Sequence, residues 1–320
     1  MNSISKSGRR CYSVIGLILL AVFLLSQGGM ALIYYLTDGN VASLFVGLFE
    51  ENDAYILLSS GVMYLLAIPL ALLLLHFLPS ATPEKVHLGS QFFQWLLICF
   101  PILSAGSMIG NFLSFLFSLG KASNPTNSLT DLSFGVQFLC VVVLAPIFEE
   151  LLFRRAIINN CVRFGEKAAI LFSATAFGLF HGNLYQFFYA FGIGLLFGYI
   201  YVRTGKVIYT ISLHAIVNFF GSIIAGFVMS NTPSLSGLHS IESILLLTFQ
   251  AVITLNYYLI MYGAIAGGII LLCKKVRKLY FQPALPELST GKAIQVSFVN
   301  PGFILFAILC TAEILISLLP

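Results

Sequence analysis

Runs of about 20 or more apolar residues recur along this chain, and they restrict its fold more than any other feature. A backbone in lipid has no water to bond, so each run must satisfy its own N–H and C=O groups. Helices do so at this length, whereas a barrel strand needs only about 9–11 residues. Only 9% of the residues are charged and 59% are hydrophobic, against about 25% charged in soluble domains. The expected fold class is all-α: a polytopic integral membrane helical bundle with about 8–9 transmembrane helices. The net charge of +4 comes from Lys and Arg flanking the runs and gives no argument for nucleic acid.

The spans are read at residues 11–35, 54–78, 91–118, 132–157, 168–183, 186–202, 207–229, 242–273 and 300–318. The run 168–183 is short, and 242–273 is long enough to tilt or conceal a break. Lys6, Arg9, Arg10, Arg163, Lys167, Arg203, Lys206, Lys274, Lys275, Arg277 and Lys278 all fall on one side of this arrangement, whereas Asp38, Glu50, Glu51 and Asp53 fall on the other. The positive-inside tendency then places the N-terminus in the cytoplasm and the C-terminus outside. The first span reads as an uncleaved signal anchor, its apolar stretch being longer than a typical signal h-region. Segments 119–131 and 230–241 read as loops between spans, and no soluble domain is expected. The six cysteines lack paired spacing and read as buried free thiols. Three GxxxG pairs, Gly106/Gly110, Gly194/Gly198 and Gly263/Gly267, read first as sites of internal helix packing and second as homodimer contacts; the oligomeric state stays unassigned.

Inside these apolar segments stand Glu149, Glu150, Arg154, His181, His214 and Asn218. An ionisable group at mid-membrane costs roughly 2.5–3.5 kcal/mol on the insertion scale, so such a cluster points to function. Glu150 and Arg154, four apart, can pair on one helical face, while Glu149 is rotated by about 100° and has no such partner. Pro146 removes a helical hydrogen bond just before the pair and can kink the helix. At about 1.5 Å per residue, Glu149, His181 and His214 lie about 12, 20 and 11 Å from the cytoplasmic ends of their spans, compatible with one intramembrane site. His76, His87 and His239 lie near span ends and read as interfacial or loop residues.

In chain order these residues form EExxxR (149–154), FxxxH (Phe177 to His181) and HxxxN (214–218), each on its own segment. The ordered set resembles the CPBP (CAAX protease and bacteriocin-processing, or Abi) family of intramembrane glutamic endopeptidases. The chain then divides into N-terminal helices (1–130), a CPBP-like catalytic core (131–230) and C-terminal helices (231–320) within one membrane domain. The resemblance implies peptide-bond hydrolysis on membrane-associated peptide or protein substrates. These could be prenylated CAAX proteins, pheromone or bacteriocin precursors, or membrane-anchored regulators. It casts Glu149 as the base that activates water with His181, His214 and Asn218 as the oxyanion-stabilising pair, and Glu150 and Arg154 as supporting residues. Phe177 reads as packing that shapes the cavity. Arg155 stands where the family commonly has a small residue, which puts local packing in question.

No cofactor is expected. The alternative is a zinc held by Glu149, His181 and His214, since those ligand types suit a catalytic zinc, although no HExxH pair is present. Two further readings are a noncatalytic immunity or scaffold protein of the same fold, and a transporter. The transporter lacks the matched broken helices that such folds often carry. The short hydrophilic regions suit a prokaryotic plasma membrane.

Overall fold

The computed structural model describes residues 3–46, 48–232, 241–282 and 289–319. Every helix and turn of regular structure among them is helical. Seven helices are long and apolar enough to cross a membrane: α1 (Ser3–Leu36), α2 (Glu51–His76), α3 (Gln91–Ser118), α4 (Phe134–Phe164), α6 (Leu184–Thr204), α7 (Val207–Ser230) and α8 (Ile241–Val276). Between α4 and α6 lies the shorter α5 (Glu166–Phe180). α9 (Thr290–Phe298) and α10 (Pro301–Ile316) meet at a 60° bend and are long and apolar enough for an eighth only when taken together. The all-α bundle is therefore as expected. His239 and most of the 230–241 loop lie outside the described residues.

Two of the predicted spans differ in form. The fifth is a helix of 15 residues, about 22 Å long and short of a 30 Å hydrocarbon core. Most of its side chains are buried, and the protein itself surrounds it. The ninth is broken because Asn300 caps a new helix, accepting a hydrogen bond from Phe303 N at 2.9 Å, and Pro301 follows at its first position.

Glycines bring the central helices together. A Cβ on Gly110 would lie 2.5 Å from the Leu184 carbonyl oxygen, and one on Gly106 would strike the Tyr189 backbone. Gly194 meets Ala174 and Gly198 meets Ile170, so α5 runs antiparallel to α6. Gly263 and Gly267 depart from the expected internal packing, because nothing among the described residues lies within 4 Å of a Cβ built on either of them. Their neighbour Gly268 makes the contact, against the Leu97 carbonyl and Pro101. Pro101 lacks the N–H that would occupy that carbonyl, and Gly lets the α8 backbone close over it.

Hydrogen bonds join the basic-residue ends of several helices. Asn160 Nδ2 donates to the Leu75 carbonyl, Val86 N to the Thr204 carbonyl and Gln282 N to Glu166 Oε2. Glu166 also forms an ion pair with Arg203, whose guanidinium lies 4.4 Å from the Tyr280 ring. The segment following α8 is thereby held against the starts and ends of α5 and α6. Of the six cysteines, five are buried and Cys273 is exposed, all as free thiols.

Gly110→Leu should lower stability by about 1–3 kcal/mol through backbone collision. Gly263→Leu should change it by no more than about 0.5 kcal/mol. Thermal unfolding of the two variants in one detergent checks the contrast, and equal losses would refute the glycine-mediated contact.

Candidate active site

The site is built on α4, α5 and α7, with one residue from α2. Pro146 cannot donate to Val142, and immediately before it, over Phe138–Leu144, the helix widens into a π-helical turn. A second such turn, Leu151–Ile158, follows the acidic pair and carries Arg154. Glu149 and Glu150 thus occupy a short α-helical stretch, Ala145–Glu150, between two widened turns.

Glu150 and Arg154 have fully buried side chains, with Arg154 Nε 3.1 Å from Glu150 Oε2. This is an ion pair without hydrogen-bond alignment, and no guanidinium nitrogen has a hydrogen-bond partner among the described residues. The guanidinium instead lies 4.2 Å from the Phe177 ring centroid and 5.6 Å from that of Phe197. Aromatic faces are favourable neighbours for a desolvated cation. The other oxygen of Glu150 receives His214 Nδ1 at 3.0 Å. Glu150 therefore bridges Arg154 and His214, linking α4 to α7.

Glu149 has different partners. Its Oε1 accepts a hydrogen bond from the Tyr64 hydroxyl at 2.9 Å, and its Oε2 lies 3.9 Å from His214 Nε2. It has no arginine or lysine partner among the described residues. The two adjacent carboxylates thus have different partners.

His181 ends α5. Gly182 follows in the left-handed region (φ +64°), and Asn183 caps α6 by accepting from Gln186 N at 2.9 Å. The Asn183 amide also donates to the His181 carbonyl at 2.8 Å. His181 Nδ1 lies 2.8 Å from the Phe177 carbonyl; a carbonyl only accepts, so Nδ1 carries the hydrogen and Nε2 is left for other chemistry. Phe177 stands edge-on to both imidazoles, at 5.0 Å from His181 and 6.0 Å from His214. Its ring touches the two histidines and the arginine.

Asn218 lies one turn beyond His214, and its amide donates to the Val141 carbonyl at 2.9 Å, inside the widened turn before Pro146. One of its two N–H groups thus ties α7 to α4. Arg155 is exposed and stands off the packed face. His76 is exposed at the end of α2, and His87 contacts Lys206 and Tyr209 away from the site.

Tyr64 and Glu313 escaped the sequence reading. Tyr64 lies in an apolar run and carries no charge to signal it. Glu313 was visible as an acidic residue in the last span; it faces the Gly182 turn, and Gln27 Nε2 approaches it at 3.4 Å. Among the described residues, no three His, Cys, Asp or Glu side chains stand where they could share a metal ion.

Residues 131–220 match the model of a family described as type II CAAX prenyl endopeptidase Rce1-like. A Bacillus subtilis (strain 168) protein named "Putative membrane peptidase YdiL" is 25% identical over 170 residues, covering 50% of this chain and 68% of that protein. These findings support membership of the CPBP family. No solved structure matches significantly. The matched segment includes the three motifs and all of the site except Tyr64.

Glu150→Gln should cost roughly 3–5 kcal/mol of stability, since it leaves Arg154 buried without its counter-charge. Combining it with Arg154→Met should recover much of the loss. Unfolding of single and double variants in detergent checks this, and full additivity would refute the coupling.

Proposed function

We propose that the chain is an intramembrane endopeptidase that hydrolyses peptide bonds of membrane-associated proteins or peptides, with Glu149 as general base. The observation that carries this reading is the unequal pairing of the two glutamates. Glu150 holds Arg154 and His214, while Glu149 faces His214 Nε2 at 3.9 Å and has no arginine or lysine partner among the described residues.

In this reading Glu149 takes a proton from water as the oxygen attacks the peptide carbonyl carbon. His181 Nε2 accepts the water's second hydrogen bond. The carbonyl oxygen becomes an oxyanion stabilised by His214 and by the Asn218 N–H not bound to Val141. Glu149 then returns the proton to the amide nitrogen, and the C–N bond breaks to give an acid and an amine. His214 is held by Glu150 at Nδ1, which aims its Nε2 side toward the oxyanion. No metal enters the scheme.

Glu149→Gln should insert and fold yet abolish cleavage, because the amide keeps the volume but cannot accept the proton. Vesicles containing either form, assayed by peptidomics of co-reconstituted membrane proteins, check the outcome; turnover by folded Glu149→Gln would remove Glu149 as base. In the same preparation, chelation should leave turnover unchanged. Loss on chelation with recovery on zinc add-back would make Glu149, His181 and His214 ligands instead.

The orientation proposed for a prokaryotic plasma membrane is N-terminus in and C-terminus out, with α5 crossing as a short, protein-enclosed span. It is supported by the basic residues grouped by the contacts of Glu166, Arg203 and Gln282. Cysteines added at Ser123 and Ser236 should react with an impermeant thiol reagent from the outside; reaction of both from the cytoplasmic side alone would invert it.

A further inference from the structure

α2 runs alongside α4 in parallel and is bonded to it at three levels. Ser133 N donates to Asp53 Oδ1 at 2.9 Å, the Tyr64 hydroxyl donates to Glu149 Oε1 at 2.9 Å, and Asn160 Nδ2 donates to the Leu75 carbonyl at 3.3 Å. The first and last align the helices; the middle one reaches the carboxylate on which the proposed chemistry turns. Tyr64 lies outside the family-matched segment 131–220. Its ring stacks on Phe148, the neighbour of Glu149, with centroids 6.0 Å apart and planes at 21°. Its backbone lies in a π-helical turn, Gly61–Ala67, whose Met63 sulfur accepts from Ser26 Oγ of α1 at 3.3 Å. The hydroxyl is therefore delivered by a ring and a turn that are both held in place.

We propose that Tyr64 is a positioning residue for Glu149: its hydroxyl occupies Oε1 and leaves Oε2, the oxygen facing His214 Nε2, to take the proton from water. The terminal torsion of a glutamate is broad and roughly two-fold, so an unconstrained carboxylate presents either oxygen. A donor on one oxygen breaks that equivalence. The 3.9 Å between Oε2 and His214 Nε2 is too long for a direct hydrogen bond. Oε2 is therefore free to hold the attacking water at about 2.8 Å while His214 Nε2 stays available to the carbonyl oxygen. Tyr64 keeps its own proton throughout.

The proposal rests on Glu149 being the base, and the test separates the two. The full chain is reconstituted in vesicles and assayed with a quenched, membrane-anchored peptide selected from a library for cleavage by the unaltered protein. Tyr64→Phe keeps the ring stack and removes only the hydroxyl. It should lower kcat by about tenfold or more, with KM changed by less than about threefold, because a hydrogen bond to a charged group is lost without loss of substrate contacts. In a Glu149→Asp background the shorter carboxylate does not reach the hydroxyl, and Tyr64→Phe should then change kcat by less than about twofold. Equal losses in the two backgrounds would make Tyr64 a packing residue and overturn the proposal. An unchanged kcat in Tyr64→Phe beside an inactive Glu149→Gln would overturn it alone and leave the base in place. A Tyr64→Phe chain that unfolds before assay also assigns Tyr64 to packing, whereas active Glu149→Gln removes the base reading itself.

Discussion

The bridge that Glu150 makes between Arg154 and His214 is the constraint on which the remaining geometry depends. Removing these groups from water is costly, and an ion pair in a low-dielectric interior offsets that cost only when its members stay close. The arginine cannot swing away, because Phe177 and Phe197 enclose its face. The histidine ring is fixed in turn through Nδ1, and that places Nε2 toward Glu149. One carboxylate is thus used to orient the group that confronts its neighbour. Replacing Glu150 and Arg154 by apolar residues could preserve packing energy, but it would leave His214 free to rotate.

The second histidine is located by packing. α5 ends where it does because Gly182 turns the chain and Asn183 starts α6. The height of that turn follows from glycine contacts along α6: Gly194 on Ala174, Gly198 on Ile170 and Gly178 beneath Phe187. α3 holds α6 from its other side through Gly106 and Gly110. A shift of one turn in either contact would move His181 by about 5.4 Å and separate it from Phe177's partner His214.

Charges in apolar runs made much of this legible in the chain. The spacing of Glu150 and Arg154 identified their pairing, and the absence of a like-spaced cation for Glu149 identified the other carboxylate. Helix spacing could not say that His214 would cross to Glu150, since partners on different helices carry no periodic mark. Tyr64 was hidden for a related reason: a tyrosine in an apolar span reads as packing until its hydroxyl is placed. The third GxxxG pair failed because glycine spacing alone does not show that a helix passes there; α8 closes on α3 one residue further along, where Pro101 had freed a carbonyl. The brevity of α5 was visible as a short run, but its enclosure by neighbouring helices was a property of the assembled bundle.

Proline gives the widened turns a cause that sequence spacing alone would understate. Gly61–Ala67 is followed by Pro69 and Phe138–Leu144 by Pro146, each proline standing second in the helix that resumes. A proline has no N–H and crowds the carbonyl four residues back, so the preceding turn relaxes to longer hydrogen bonds instead of breaking the span. The first of these turns carries Tyr64, and the second offers the Val141 carbonyl to Asn218. Two further widened turns, Leu151–Ile158 and Phe219–Ile224, begin immediately after Glu150 and Asn218. In lipid, a freed carbonyl must find a donor within the protein. In the widened turn Ala145 N reaches back five residues to the Cys140 carbonyl, so the next donor in register would be Pro146, which has no N–H to give Val141; Asn218 meets that demand at Val141, and in doing so ties α7 to α4 beside the acidic pair. The same local disruption that threatens a membrane helix therefore supplies the bond that closes this site.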